Sequence, residues 1–269
     1  MQFAFSKLGP LFPAYFGNTA YNLWFKTHRF KRPSIENEAA SNADRSSIRV
    51  NNIDVAVWHW GNGKPVLFIH GWSGRGTQVA HFIDSLTSSG HCVISYDGPA
   101  HGETAGKTTN MLEIADVVLA LGEVYGPFRS TITHSFGGMV LAYASTLGFN
   151  TASAVCICPP ATMNTILHNF QRSLQIPDRV LAVMTSKLYA NYGSNLDKRV
   201  SMLHNVRSLT IPALIIHDED DMDVPWQDGK AVADAWSDSE FMLTRRLGHR
   251  RILRNPATIS AATEFIKKS

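Results

Sequence analysis

The stretch Thr-Ile-Thr-His-Ser-Phe-Gly-Gly, residues 131–138, decides how this chain folds. Strand-forming residues precede Ser135 and a helical pattern over 136–147 follows it. This is the context of a nucleophile elbow, the sharp strand-to-helix turn that exposes a reactive serine. Gly137 and Gly138 provide the room that such a turn needs, but Thr133 stands where the Gly-x-Ser-x-Gly pattern has its first glycine. The motif alone is weak evidence because serines are common, so the elements around it must decide.

Strand-like and helix-like segments alternate along the rest of the chain. Alternating residues around Asn51-Asn52 predict a β-hairpin. Apolar runs predict strands at 65–70, 91–96, 129–133, 154–158, 212–217 and 240–244. Helical patterns cover 76–89, 108–124, 136–147, 227–236 and 256–267. This alternation predicts an α/β fold with a mostly parallel central sheet and helices on both faces.

The interval 161–207 breaks this rhythm, because it holds helical patterns but no strand-like run. It is too long for an ordinary connection and is predicted to form a helical cap over the carboxyl ends of the strands, where such sheets bind ligands. The predicted organisation is an N-terminal helical segment and polar linker (1–47, the linker at 33–47), a core (48–160 and 208–269) and the cap.

Composition excludes several other classes of protein. The chain has 269 residues, of which 44% are hydrophobic and 17% charged, as expected for a globular protein. Its net charge of +3 without a long basic run argues against a nucleic-acid partner. Three cysteines, at 92, 156 and 158, lie in apolar runs and are interpreted as buried residues of a cytoplasmic protein. Residues 8–25 lack charge, but prolines, glycines and asparagines interrupt them, which argues against stable membrane insertion and leaves a weak membrane-surface association open.

Three further elements carry chemistry at predicted strand ends. His-Gly-Trp-Ser-Gly-Arg-Gly (70–76) follows the first buried strand, where hydrolases place an oxyanion hole, so the N–H groups of Trp72 and Phe136 are candidate donors. An acidic cluster at 218–223 can supply a triad carboxylate, and its spacing does not match a calcium loop. His249 follows the last strand, so that serine, acid and histidine come in the chain order of a hydrolase.

With these elements in place, the sequence from about residue 48 onward resembles the α/β-hydrolase superfamily. Residues 96–106 are similar to its Asp-x-Pro-Gly-His-Gly-x-Ser loop, and 214–225 resemble its His-Gly-x-x-Asp-x-x-Val-Pro stretch. The latter match selects Asp221 as the acid and puts Asp218 at a glycine position. Gly-His-Arg-Arg-Ile-Leu (248–253) resembles the histidine loop of an uncharacterised bacterial group, in which alanine often replaces the first elbow glycine.

The resemblance implies a hydrolase with a catalytic triad and without metal or cofactor, and we expect it to be a serine esterase that acts on a small-molecule carboxylic ester. Ser135 would be the nucleophile, His249 the base and Asp221 its partner. Asp97, His101, His70 and His134 would brace or shape the site. Acyl transfer, thioester cleavage or C–C cleavage on the same triad stays open, as does a binding protein on a hydrolase scaffold. If Thr133 crowds the helix, the elbow should shift and Ser135 should lose its hydrogen bond to His249.

Overall fold

An eight-stranded sheet forms the centre of the molecule in the computed structural model, which describes residues 1–269. The strands are β1 (Asp44–Val50), β2 (Ile53–Trp60), β3 (Lys64–Ile69), β4 (His91–Tyr96), β5 (Ser130–His134), β6 (Ala154–Ile157), β7 (Ala213–Asp218) and β8 (Ser239–Thr244), in the order β1-β2-β4-β3-β5-β6-β7-β8. Strand β2 runs antiparallel to β1 and β4, and all other pairs are parallel. The predicted mostly parallel sheet is confirmed.

Thirteen α-helices accompany the sheet: α1 (Gln2–Leu8), α2 (Pro13–Trp24), α3 (Ser34–Ser41), α4 (Ala80–Thr87), α5 (Met111–Tyr125), α6 (Phe136–Thr146), α7 (Met163–Leu174), α8 (Asp178–Tyr192), α9 (Leu196–Val200), α10 (Met202–Asn205), α11 (Trp226–Ala235), α12 (Gly248–Arg251) and α13 (Pro256–Lys268). None of them combines the length and the apolar character that crossing a membrane requires.

Two apolar cores lie on opposite faces of the sheet, because successive side chains of a strand point to opposite sides. In β3, Leu67 and Ile69 pack in the core that contains α5, α6 and α11. Val66 and Phe68 pack in the other core, with α4 and α13. Helices therefore cover both faces, as the strand–helix alternation predicted.

The predicted hairpin is also confirmed. Strands β1 and β2 pair through Val50 and Ile53, so only Asn51 and Asn52 form the turn. Both asparagines have positive φ, 47° and 65°. A two-residue turn of this kind requires positive φ at both positions, which asparagine tolerates better than most residues.

The polar linker predicted at 33–47 is wrong in most of its length. Residues 34–41 form α3, and β1 already begins at Asp44. Helix α3 is polar overall, but it buries Glu36 and Ala39, three residues apart on one face. The Ala39 carbonyl accepts a hydrogen bond of 2.7 Å from the Trp60 indole. Sequence periodicity missed the helix because a carboxylate occupies one of its buried positions.

The interval between β6 and β7 is helical, as predicted, and consists of α7 to α10. The N-terminal helices pack against these inserted helices. Gly17 of α2 lies so close to Val183 of α8 that a larger side chain would collide with it. The rings of Trp24 and Phe170 meet edge to face with centroids 5.2 Å apart. Residues 1–25 therefore form one helical layer with the insertion.

Candidate active site

Ser135 occupies a strained turn between β5 and α6. Its φ and ψ are 53° and −123°, which a residue with a side chain rarely adopts. A side chain at Gly137 would collide with the Ile69 carbonyl, so α6 packs closely on the end of β3. Thr133 is buried beside Cys156 of β6, and its hydroxyl has no hydrogen-bond partner. The turn therefore keeps its strained conformation with threonine in place of the first glycine.

His249 lies on α12, directly after the last strand. Its Nδ1 is 2.7 Å from Oδ2 of Asp221. His134 donates a hydrogen bond of 2.8 Å from Nε2 to the His249 carbonyl, and the two imidazole rings lie 4.8 Å apart. Burial and the neighbouring His249 lower the pKa of His134 to about 3, so His134 is neutral. Two hydrogen bonds therefore hold His249 in place, one at its imidazole ring and one at its backbone carbonyl.

The Asp221 carboxylate is buried and fully hydrogen-bonded. Its Oδ1 accepts from the backbone N–H groups of Asp223 and Val224, both at 2.8 Å. Its Oδ2 faces His249 and, at 3.4 Å, Nε2 of His217. Burial alone would raise the pKa of Asp221, but the hydrogen bonds from His217, His249 and Val224 lower it well below its usual range. Asp221 is therefore a fixed carboxylate that fits the role of orienting His249.

A second carboxylate, Asp218, positions the histidine loop. It is buried at the end of β7 and accepts hydrogen bonds from the Gly248 N–H at 2.8 Å and from the Thr244 hydroxyl at 2.7 Å. Burial alone would raise the pKa of Asp218, but the hydrogen bond from Gly248 and those from neighbouring groups lower it. Sequence reasoning placed Asp218 in the acidic cluster and at a glycine position of the superfamily pattern, and it missed this role. The available signal was a carboxylate at the very end of a buried strand.

Ser135 and His249 line the same cavity, yet no hydrogen bond joins them. The Ser135 hydroxyl has no hydrogen-bond partner in the protein, whereas its backbone N–H donates to the Ile157 carbonyl at 2.8 Å. The hydrogen bond between the two side chains is therefore absent, although the turn itself keeps its strained shape. Catalytic hydrogen bonds are often long in unliganded sites and tighten when substrate binds.

Two backbone N–H groups are available beside Ser135. Gly71 lies against the elbow, since a Cβ there would be 3.1 Å from the Ser135 Cβ. The next residue, Trp72, has an N–H without a partner in the protein. Phe136 is the first residue of α6, so its N–H has no partner within the helix. Two free donors near one serine are what an oxyanion hole requires.

Histidines brace the loop that carries Trp72. His70 donates from Nδ1 to the Gly71 carbonyl at 2.8 Å and accepts the Gly98 N–H on Nε2 at 3.0 Å. His101 accepts the Ser73 N–H on Nε2 at 2.9 Å. Burial lowers the pKa of His70 to about 4 and that of His101 to about 3. Both rings are therefore neutral and structural.

Asp97 braces the far end of the same loop. It accepts the Gly76 N–H on Oδ1 at 2.7 Å and the Glu103 N–H on Oδ2 at 2.8 Å. Asp97 is fully buried away from the cavity. Its contacts, like those of His70 and His101, agree with the structural role that the resemblance implied.

Sequence analysis missed a contribution from residues 25–36, which we call the N-terminal strap. The strap crosses the Trp72 loop, and its backbone is bonded to that loop three times. The Lys26 carbonyl accepts from the Trp72 indole at 3.2 Å, the His28 N–H donates to the Ser73 hydroxyl at 3.0 Å, and the Phe30 carbonyl accepts from Arg75 at 3.0 Å. No periodic pattern indicates such backbone contacts between distant segments.

A buried ion pair anchors the strap. Glu36 accepts two hydrogen bonds from the Arg75 guanidinium, at 2.5 and 3.0 Å, and a third from the Thr77 hydroxyl at 2.8 Å. Glu36 is 8% exposed and Arg75 is 6% exposed. Arg75 is also the residue at which the helical turn 76–79 begins. The ion pair and the Thr77 hydrogen bond therefore hold helix α3 against residues 75–77, at the end of the Trp72 loop.

A cavity of about 980 Å³ opens over Ser135. Its wall comes from the core, from the inserted helices and from the N-terminal strap. Buried apolar side chains line the inner part: Met111, Met139, Met163, Leu188, Leu196 and Val200. Arginines stand among its exposed lining residues: Arg172, Arg250, Arg251 and Arg254. The volume is that of a site for a small organic molecule.

One buried cluster offers possible metal ligands. Donor atoms of Cys158, His217 and Asp221 lie within 4.8 Å of one another. His217 uses Nε2 to donate to the Val224 carbonyl at 3.1 Å, so that nitrogen is not a free ligand. Oδ2 of Asp221 already bonds to Nδ1 of His249 at 2.7 Å, so this oxygen is also engaged within the protein. The cluster fits a brace for Asp221 better than a metal site.

Comparison with known proteins supports the fold. A bromoperoxidase from Bacillus anthracis superposes with a TM-score of 0.65 at 19% identity, covering 84% of this chain and 100% of its own. Alpha/beta hydrolase domain-containing protein 10 from mouse gives 0.66 at 19%, covering 84% and 98%. Epoxide hydrolase VrEH1 from Vigna radiata gives 0.62 at 17%, covering 85% and 99%. These identities are low and the names differ in activity, so the similarity establishes the fold alone.

Sequence comparison gives the family. No functionally curated protein matches the chain. The model of the alpha/beta hydrolase family matches residues 66–262, which include the elbow, the acidic loop and the histidine loop. The chain therefore belongs to the alpha/beta hydrolase family.

Proposed function

We propose that the protein is a serine hydrolase that cleaves a small carboxylic ester through an acyl-enzyme. One observation carries the proposal: a strained serine and a carboxylate-bound histidine line one cavity. Ser135 has the elbow conformation, and His249 Nδ1 is 2.7 Å from Asp221. With Nδ1 bonded to the carboxylate, Nε2 of His249 is the nitrogen left to accept a proton.

In the proposed acylation step, the Ser135 oxygen attacks the ester carbonyl. His249 takes the hydroxyl proton on Nε2 and returns it to the departing alkoxide, so the alcohol leaves and an acyl–serine ester remains. Asp221 stabilises the imidazolium that forms in between. The N–H groups of Trp72 and Phe136 stabilise the oxyanion.

In the proposed deacylation step, water attacks the acyl–serine. His249 removes a proton from the water and gives it to Ser135, which releases the carboxylic acid. Substrate binding must first bring the Ser135 hydroxyl and the His249 imidazole into contact.

A panel of p-nitrophenyl esters with graded acyl length tests this proposal. We expect turnover by the wild-type protein and a loss of at least about 10³-fold in kcat for Ser135→Ala. Ser145→Ala is the matched control, since Ser145 lies on the same helix and bonds only to the Leu141 carbonyl. Equal turnover by wild type and Ser135→Ala would rule the mechanism out. Adding a competing alcohol and analysing the products separates hydrolysis from acyl transfer.

A further inference from the structure

The cavity over Ser135 has two chemically different parts. The side chains of its inner part, such as Met139, Met163 and Leu196, are apolar and almost fully buried. Methionines adapt their shape readily, so this part suits a flexible apolar group. The exposed part of the lining carries arginines from α7, from α12 and from the turn after α12. We call Arg172, Arg250, Arg251 and Arg254 the arginine rim.

Positive charge in the cavity wall exceeds negative charge. Five arginines and two carboxylates line the cavity. Glu36 is neutralised by Arg75, and Asp223 lies 3.2 Å from Arg250. The remaining arginines of the rim, at 172, 251 and 254, form no ion pair. Arg172 and Arg251 bond to backbone carbonyls, which fixes their direction without neutralising them.

The effect of this charge reaches neighbouring groups. Burial and the nearby Arg254 both lower the pKa of His81, which lies across the cavity wall on α4. Glu36 opposes this effect but does not overcome it. The unpaired arginines therefore leave a positive potential at the exposed side of the cavity, and an anion placed there would be stabilised.

We infer that the substrate is an amphiphilic ester whose leaving group carries an anion, a carboxylate or a phosphate, bound by the arginine rim while its acyl group fills the apolar inner cavity. This inference rests on the proposed function, because it is His249 that returns the proton to the leaving group. The leaving group must lie next to His249, and Arg250 and Arg251 of α12 and Arg254 of the following turn line the same cavity as His249. Arginine is well suited to this task, since its planar guanidinium binds both oxyanions with two hydrogen bonds.

Three matched hexanoate esters test the inference by kinetics. Their leaving groups are 4-hydroxybenzoate, neutral 4-hydroxybenzamide and 4-hydroxyphenyl phosphate. We expect a higher kcat/KM for at least one anionic ester than for the carboxamide, mainly through a lower KM, because the anion lies away from the reacting atoms. The better of the two anionic esters identifies the anion. Increasing salt should narrow the difference.

Binding of the corresponding non-hydrolysable anilides tests the site without catalysis. Calorimetry should show that an anionic anilide binds more tightly than the carboxamide. Arg254→Gln and Arg251→Gln should each reduce this preference by about tenfold, close to the lower end of the range for a hydrogen bond to a charged group. Arg179→Gln is the control, since Arg179 is exposed on α8 and lies outside the cavity wall.

The outcomes separate the two proposals. If esters are cleaved by Ser135 but the anionic and neutral compounds behave alike, the rim inference is wrong and the proposed function stands. If no ester is cleaved but the anilides show the preference, the rim binds an anion and the proposed reaction is wrong. Rim variants that behave like Arg179→Gln would overturn the inference in either case.

Discussion

Removing the Glu36 carboxylate should destabilise the protein strongly. In Glu36→Ala the Arg75 guanidinium loses two hydrogen bonds to the carboxylate and the Thr77 hydroxyl loses one, all in a buried place. Only the Phe30 carbonyl then remains bonded to the Arg75 guanidinium. Breaking a buried ion pair from one side costs about 3–5 kcal/mol, because the other charge stays behind without a partner.

Urea denaturation and thermal unfolding measure this effect. A loss of that size lowers Tm by about 6–20 °C in a chain of this length. Glu38→Ala is the matched control, since Glu38 is an exposed carboxylate on the same helix with no ion pair, and its removal should change the free energy of unfolding by less than about 0.5 kcal/mol. The double variant Glu36→Leu/Arg75→Met should be more stable than Glu36→Ala, because it leaves no unpaired charge.

The same substitution should affect catalysis below the lowered Tm. The strap holds the Trp72 loop, so a loosened strap should lower kcat of the proposed reaction more than it raises KM. If Glu36→Ala were as stable as Glu38→Ala, the ion pair would not anchor the strap.

Three further outcomes test the rest of the site. Asp221→Asn should lower kcat by about 10⁴-fold, as the same change does in a serine-protease triad, because asparagine cannot hold the His249 tautomer. His134→Phe should lower kcat by about fivefold, the worth of one hydrogen bond to the His249 carbonyl, while His134→Gln, which keeps a donor, should lose less. Between pH 6.5 and about 4 the unfolded chain takes up a proton at His70 that the folded protein refuses, so His70 should contribute a loss of about 3 kcal/mol in stability as pH drops through this range, in addition to the losses from His101 and His134, whose pKa values are also lowered. Urea denaturation at each pH should therefore show a smaller loss of stability in His70→Gln than in the wild type.

Sequence reasoning predicted the sheet because most of its parallel strands are apolar runs bounded by turn residues, and the hairpin strands alternate apolar and polar residues around Asn51 and Asn52. It also indicated Ser135, an acid within 218–223 and His249 from their order along the chain and their places after strands, whereas the choice of Asp221 within that cluster came from the resemblance to the hydrolase superfamily. The observed contact between His249 and Asp221 agrees with that assignment. The order of serine, acid and histidine along the chain supported the assignment of the nucleophile, which the imperfect elbow motif alone would not have supported.

The N-terminal strap was not predictable in the same way. Its contacts to the Trp72 loop run through backbone carbonyls and N–H groups, which every residue has and no sequence pattern marks. Helix α3 was missed because Glu36, a charged residue, occupies a buried position that only Arg75 makes favourable. Asp218 was underestimated for a similar reason, since its partners are backbone N–H groups of the His249 loop.

Covalent labelling by a fluorophosphonate, followed by intact-protein and peptide mass spectrometry, tests directly whether Ser135 is the nucleophile. We expect one added phosphonyl group, located on Ser135, and no labelling of Ser135→Ala. Labelling of His249→Ala should be slower than that of the wild type, because the hydroxyl then lacks its base. A wild-type protein that stays unlabelled, or equal labelling of wild type and Ser135→Ala, would contradict the claim that Ser135 is the nucleophile.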